Sequence, residues 1–233
     1  MISRKLMCIQ AVVLFAALAI PMQFAAQDQK PKQQRYRFFD VGTFGGPTSL
    51  TIESQGVLSK NGTLVGGADT SEADPYKPDC FDSACYVQHA FKWHNGNLTD
   101  LGALPNGESS IAYWVNASGA VAGWSENGEI DQQSGWPVWH AVLWEENGIN
   151  DLGTLGGAYS QANAMNDSGD AFGFAQNKTP SSCVLPVGNP NTATEIRAVL
   201  WENGKKARDI GTLGGPGAFG QTINNLGEMA GFS

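Results

Sequence analysis

The sequence predicts an all-β protein built as a stack of four-stranded antiparallel repeats, about four of them, with the first incomplete. Three observations carry this expectation. The first is repetition. Residues 89–125 read HAFKWHNGNLTDLGALPNGESSIAYWVNASGAVAGWS, residues 140–175 read HAVLWEENGINDLGTLGGAYSQANAMNDSGDAFGFA, and residues 197–233 read RAVLWENGKKARDIGTLGGPGAFGQTINNLGEMAGFS. An earlier partial copy, YRFFDVGTFGG followed by LSKNGTLVGGA, lies within residues 36–68. A unit that recurs at such a period is the mark of a repeat architecture, and a residue present once per unit is there to build the unit. The second is composition: 29 Gly, 7 Trp, 11 Phe and 5 Tyr with only 15% charged residues suit short strands and tight turns rather than helices. The third is turn chemistry, since each full copy sets an Asn-Gly pair close behind an apolar run, the strongest short-range hairpin signal.

Each copy divides into four runs. The first is Ala90–Trp93, Ala141–Trp144 or Ala198–Trp201, and its Trp is expected to be buried between adjacent sheets. The turn pairs Asn95–Gly96, Asn147–Gly148 and Asn203–Gly204 follow. The second run returns through Asn97–Leu101, Ile149–Leu152 and Lys206–Ile210 into an Asp-(Leu/Ile)-Gly bend. The third, Ile111–Asn116, Gln161–Asn166 and Gln221–Asn224, ends in Asn and turns at Gly119, Gly169 and Gly227. The fourth carries Gly123, Gly173 or Gly231 at its middle, which signals close backbone approach or a kink. Four such strands make a sheet too small to bury both faces, so neighbouring copies must stack on it. The partial first copy lacks a first run and supplies three strands. The count then falls one strand short of four full sheets, as in a fragment of a longer array or an open ring, and leaves an edge near Phe38–Val41 to recruit another chain.

Residues 1–26 have the layout of a secretory signal peptide: Arg4 and Lys5, an apolar stretch from Met7 to about Ile20, then Ala25–Ala26 before a polar linker at 27–35. The apolar stretch is shorter than a spanning helix needs, so the mature chain is expected to be exported without a membrane span, secreted or periplasmic. The repeat domain then occupies residues 36–233. The net charge of −8, with no basic cluster beyond the Lys30–Arg37 tether, argues against nucleic-acid binding. After cleavage Cys80, Cys85 and Cys183 remain, and in an oxidising compartment Cys80 and Cys85 can close a small disulfide loop. Cys183 could compete for either partner, and a lone Cys-x4-Cys is weak as a zinc motif.

The pattern HAFxW…DLGTLGG…S.A..IN..G…GxS, repeated three times over residues quoted above, resembles the HAF extracellular repeat family of exported bacterial proteins. The resemblance covers residues 36–233 and implies a β-propeller-like assembly; it carries no catalytic residues across. Arg197 stands in place of the opening His, and Ala103–Gly107 in place of TLGG.

Candidate chemistry is weighed against the repeat. His89 and His140 share a position that Arg197 fills in the next copy, which excludes a metal role and favours a hydrogen bond within the sheet. Asp40, Asp100, Asp151 and Asp209 recur once per copy and fit a cap on the backbone of the bend. Gly215–Gly220 matches GxGxxG but lacks the flanking strand, helix and acid of a dinucleotide site. No catalytic set, metal site or cofactor is expected. The connectors 69–88, 126–139 and 176–196 differ between copies and fall on one face, where repeat proteins often bind. They hold Tyr76, Phe81, Tyr86, Trp136 and Trp139 with the acids Asp69, Glu72, Asp74, Asp79, Asp82, Glu126, Glu129 and Asp131. Trp136, Trp139 and Tyr76 are the candidate binding residues, with Pro137 stiffening the chain between the two Trp. The expected function is an exported non-catalytic binding or adhesion scaffold for glycans or proteins; the alternative is a secreted hydrolase or lyase on a propeller scaffold.

Overall fold

The computed structural model describes residues 36–52, 56–78, 80–181 and 194–233. The signal segment 1–26, the linker 27–35, Asp79 and Cys183 lie outside the described residues. The described chain is all-β. Its strands are β1 (Gly45–Leu50), β2 (Leu64–Ala73), β3 (Tyr86–His94), β4 (Asn97–Asp100), β5 (Ser110–Val115), β6 (Val121–Ile130), β7 (Pro137–Glu145), β8 (Gly148–Gly153), β9 (Ser160–Met165), β10 (Ala171–Pro180), β11 (Thr194–Trp201), β12 (Arg208–Gly211), β13 (Phe219–Ile223) and β14 (Met229–Phe232). They form three antiparallel four-stranded sheets, β1–β4, β5–β8 and β9–β12, and a two-stranded sheet, β13–β14. All four lie within the compact unit Asp40–Ser233.

The sheets are out of phase with the repeat as read from the sequence. Each full sheet joins the third and fourth runs of one copy to the first and second runs of the next. The reason lies in the connectors. β6 and β7 continue pairing beyond the repeated segment, through Glu126↔Trp139 and Ile130↔Pro137, so the connector is the tip of a long hairpin within one sheet. The Gly-rich bend after the second run instead crosses to the next sheet, where the amides of Leu155 and Gly157 both donate to the Gln176 carbonyl of β10. The first copy also yields two strands rather than the expected three, because residues 36–43 form no strand.

The recurring fourth-run glycine has a clear cause. A bulge in the third run leaves Tyr113 in β5 and the matching residues of β9 and β13 without a partner, between Ala112 and Trp114 in the first case. It pushes the partner backbone so close that a Cβ at Gly123, Gly173 or Gly231 would collide with the carbonyl of Ile111, Gln161 or Phe219. At the turn after the first run, Asn95–Gly96 and Asn203–Gly204 are all left-handed, which Asn and Gly tolerate best. The turns after the third run share one design: the side-chain oxygens of Asn116, Asn166 and Asn224 accept from the amides of Ala120, Asp170 and Glu228.

Apolar clusters span each pair of consecutive sheets. Two polar staples accompany them. Ser110 Oγ accepts from the Ala90 amide of the preceding sheet and donates to the Gly102 carbonyl, and Ser160 repeats this with Ala141 and Gly153. The indoles of Trp144 and Trp201 reach back in the same way, donating to the carbonyls of Gly102 (3.3 Å) and Leu152 (3.0 Å). Both Trp are buried, as expected, whereas Trp93 of the first sheet is only half-buried. Burial of this Trp comes from the preceding sheet, and the first sheet follows no other among the described residues.

Candidate functional site at the connector end

The connector hairpins project from one end of the sheets. In the first, Asp74 folds the chain by accepting from the Tyr76 amide (2.8 Å), and a disulfide joins Cys80 to Cys85. In the second, the Asp131 side chain accepts from the Gln133 amide and the Ser134 hydroxyl, closing the hairpin tip beneath Trp136. The Tyr159 hydroxyl, at the entry to the third sheet, also donates to Asp131 (3.2 Å). An aromatic chain runs across these elements: Phe81 to Trp124 (4.7 Å between ring centroids), Trp124 to Trp139 (5.8 Å) and Trp139 to Tyr159 (4.1 Å).

This arrangement brings the three sequence-nominated residues together. Tyr76, Trp136 and Trp139 line one narrow cleft with Phe81, Asp74 and Glu126. Their roles differ. Tyr76 and Trp136 are half-buried and Phe81 is exposed, so these rings form the rim. Trp139 is only 7% exposed and sits in the floor, its indole N–H buried without a hydrogen-bond partner among the described residues. The space between the rings is narrow, so the rim, rather than a deep pocket, is what a ligand would meet.

Asp74 and Glu126 are both buried beneath the aromatics. Burial pushes the Glu126 carboxyl up to about 7, against the backbone amides of Ser109 and Glu108 that favour its charge, and nearby Asp74 adds to the rise. Burial and the same acids also raise the Tyr76 phenol. The repeat explains Glu126. Its equivalents are Asp69 and Gln176, also buried, and each caps the bend entering the third run: Asp69 accepts from the Thr48 amide, Gln176 from the Ala158 amide. Asp69 is also met by the Gln88 side-chain amide from the neighbouring strand (3.2 Å), whereas Glu126 faces Trp139 there. An aromatic in place of an amide is why burial dominates at Glu126.

The recurring His and Asp residues are accounted for by the sheet. His89 Nδ1 meets Asp100 and His140 Nδ1 meets Asp151, each at 2.9 Å, while Arg197 lies 4.0 Å from Asp209. The hydrogen bond that it donates to the Asp100 carboxylate raises the His89 imidazole. Burial opposes ionisation of Asp100 and Asp151, but the hydrogen bonds from His and from the bend amides outweigh it and hold both below the usual range. Asp40, Asp100, Asp151 and Asp209 each accept the amide two residues on, at Gly42, Gly102, Gly153 and Gly211.

A second concavity, of about 440 Å³, lies where the third-run turns of all four copies meet, at the end of the sheets away from the connectors. Here Asp167 accepts from the Ala117 amide, and its own amide donates to Asn225, so the turns are stitched copy to copy. The bonds that its carboxylate accepts from the Ala117 amide and the Asn225 side-chain amide, with Lys60 nearby, hold the Asp167 carboxyl low. Trp114 lines this space. Sequence reasoning did not single it out, although a signal existed: it stands where the other copies have Val57, Ala164 and Thr222. Trp124 was obscured differently, because its environment depends on Phe81 of a connector from another sheet.

Among the described residues no group of three or more His, Cys, Asp or Glu could hold a metal ion, and no helix is long and apolar enough to cross a membrane. No protein-family model matches the chain, and no curated protein matches it either.

Proposed function

We propose that this chain is an exported, non-catalytic binding scaffold of the HAF repeat type, its sheets arranged like the blades of a propeller and its connector end facing an extracellular glycan or protein. The observation that carries the reading is the convergence, from two different connectors, of Tyr76, Phe81 and Trp136 into one aromatic rim. Half-exposed rings held on a rigid floor offer large contact area at small entropic cost, the chemistry that suits stacking on sugars or on peptide. The disulfide between Cys80 and Cys85 fits the oxidising compartment that the signal-like segment implies.

A secreted hydrolase is the second reading, and one observation favours it: Glu126, held near 7 beside Asp74, is poised as a general acid at neutral pH. The repeat weighs against it. Gln176 performs the same capping in the next copy without an ionisable group, so Glu126 is a structural position in an unusual setting.

Binding of the exported form to a glycan array, beside a broad hydrolase screen, separates the readings. Retention of a glycan that is lost in Trp136→Ala and Tyr76→Ala, with the melting temperature nearly unchanged, supports the scaffold. Turnover that disappears in Glu126→Gln overturns it, and a large loss of stability in Trp136→Ala would reassign that ring to the core.

A further inference from the structure

The repeat does not need a carboxylate at residue 126, and carries one there all the same. Glu126 caps the bend entering the third run, and Gln176 does the same work in the next sheet with a neutral amide. In the first sheet the acid at this place, Asp69, meets the Gln88 side-chain amide at 3.2 Å. Glu126 has no such donor, and the first connector sets a second buried acid, Asp74, in the same cleft. Glu126 Oε2 accepts from the Ser109 and Glu108 amides, and Asp74 Oδ1 from the Tyr76 amide. Among the described residues no hydrogen bond reaches the other oxygen of either carboxylate, and no ion pair involves either residue.

What lies above these two acids is aromatic. Tyr76, Phe81 and Trp136 form the rim, and Trp139 is fixed in the floor between Trp124 and Tyr159. Ring faces carry partial negative charge, and set over carboxylates they favour a cation above a neutral or anionic group. The buried indole N–H of Trp139, in the same cleft, also lacks a partner among the described residues, so the site's own polar groups are left unanswered. The wider surface agrees. Connectors 69–88 and 126–139 hold five and three acids against a single base, Lys77, a field that draws cations in and turns anions away.

We infer that the connector end, as the binding surface proposed above, receives a primary ammonium group on a slender chain: a lysine side chain of a protein partner. The ammonium sits at the mouth of the cleft against the faces of the rim rings, with Asp74 and Glu126 beneath it. The aliphatic stem covers apolar surface of the rim. The narrow gap between the rings favours one unbranched chain over a sugar ring. A pH dependence follows. Asp74 and Tyr76 on the connector and Glu108 on the bend face Glu126, and burial together with the two acids pushes its carboxyl up to about 7. Glu126 is therefore mostly protonated at pH 6 and mostly ionised at pH 8, and the site gains its second charge across that window.

The test titrates the full chain by calorimetry with Nα-acetyl-lysine amide at up to about 10 mM, a range that reveals even weak association, at pH 6 and at pH 8. The uncharged Nε-acetylated form and glucosamine serve as comparisons. The lysine amide should bind and the acetylated form should not. Affinity should be up to about ninefold higher at pH 8, the ratio of the ionised Glu126 populations. Glu126→Gln keeps the cap, and should weaken binding at pH 8 and flatten the pH dependence. Asp74→Asn should weaken binding at both pH values, and the melting temperature of each variant reports that its fold is kept. Equal binding of the acetylated form, a pH dependence that survives in Glu126→Gln, or tighter binding of glucosamine overturns the inference. So does an absence of lysine amide binding. If the rim still retains a glycan or protein in that case, the lysine assignment alone falls; if it retains neither, the binding scaffold falls with it.

Discussion

β6 and β14 carry nearly the same words, Val-Ala-Gly-Trp-Ser and Met-Ala-Gly-Phe-Ser, and have opposite fates. Every residue of the first is buried, and the residues of the second are exposed as far as they are in the strand. β6 lies between β5 and β7 with the third sheet packed on it, while among the described residues β14 pairs with β13 alone. The difference teaches that in a repeat of this kind the pattern specifies a strand and its register, whereas burial is conferred by the neighbours on either side.

Truncation at matched positions tests this most strongly. Trp124→Ala in β6 should cost about 3–5 kcal/mol in denaturant unfolding, as for other buried aromatics. Phe232→Ala, at the equivalent place in β14, should cost less than about 1 kcal/mol despite its 4.9 Å stacking on Phe219. Equal costs would break the comparison. The same logic sets Trp144→Ala, at about 3–5 kcal/mol, above Trp93→Ala, because only the former is enclosed by a preceding sheet.

Glu126→Gln comes next and should stabilise. Burial raises its folded pKa to about 7 from an ordinary value near 4.5, so the acid is protonated in both states at low pH. As pH climbs through that window the unfolded chain releases the proton first, and stability falls by about 3 kcal/mol by pH 8. Gln at 126 should cap the bend as Gln176 does and abolish this loss, leaving little difference from the native chain at pH 4. A pH-independent difference between the two proteins would locate the strain elsewhere.

The serine staples sharpen the comparison at smaller scale. Ser160→Ala removes the acceptor of the buried Ala141 amide and should cost about 1–3 kcal/mol. At the last junction Ala218 already stands in that place and its amide donates to the Ile196 carbonyl instead. Ala218→Ser should therefore change stability by no more than about 0.5 kcal/mol, and a gain comparable to the Ser160 loss would mean that the fourth junction is built like the others.

Much of this was open to inspection in one dimension. Asn-Gly turns, the Asp caps at the bends, the close approach at Gly123 and its equivalents and the Cys80–Cys85 link all follow from local geometry or from a residue type that only one environment suits. The phase of the sheets did not. Four runs separated by turns can be closed into sheets at any of the four gaps, and the choice fell to the connectors, whose extended pairing at Glu126↔Trp139 carries no motif. The candidate site was legible in part: Trp136 and Tyr76 stood out as aromatics outside the repeat, yet nothing local said that they would share a cleft. Trp139, equally outside the repeat, became floor because Trp124 and Tyr159 arrive on either side of it.

By itself the sequence determined the strand pattern, the turn types and the internal caps, because each depends on φ, side-chain reach and hydrogen bonds within a few residues. The tertiary structure alone decided which runs share a sheet, which carboxylate is stripped of water, and which Trp is floor and which is rim. Those outcomes depend on groups brought together from distant parts of the chain, and desolvation and burial are properties of that assembly.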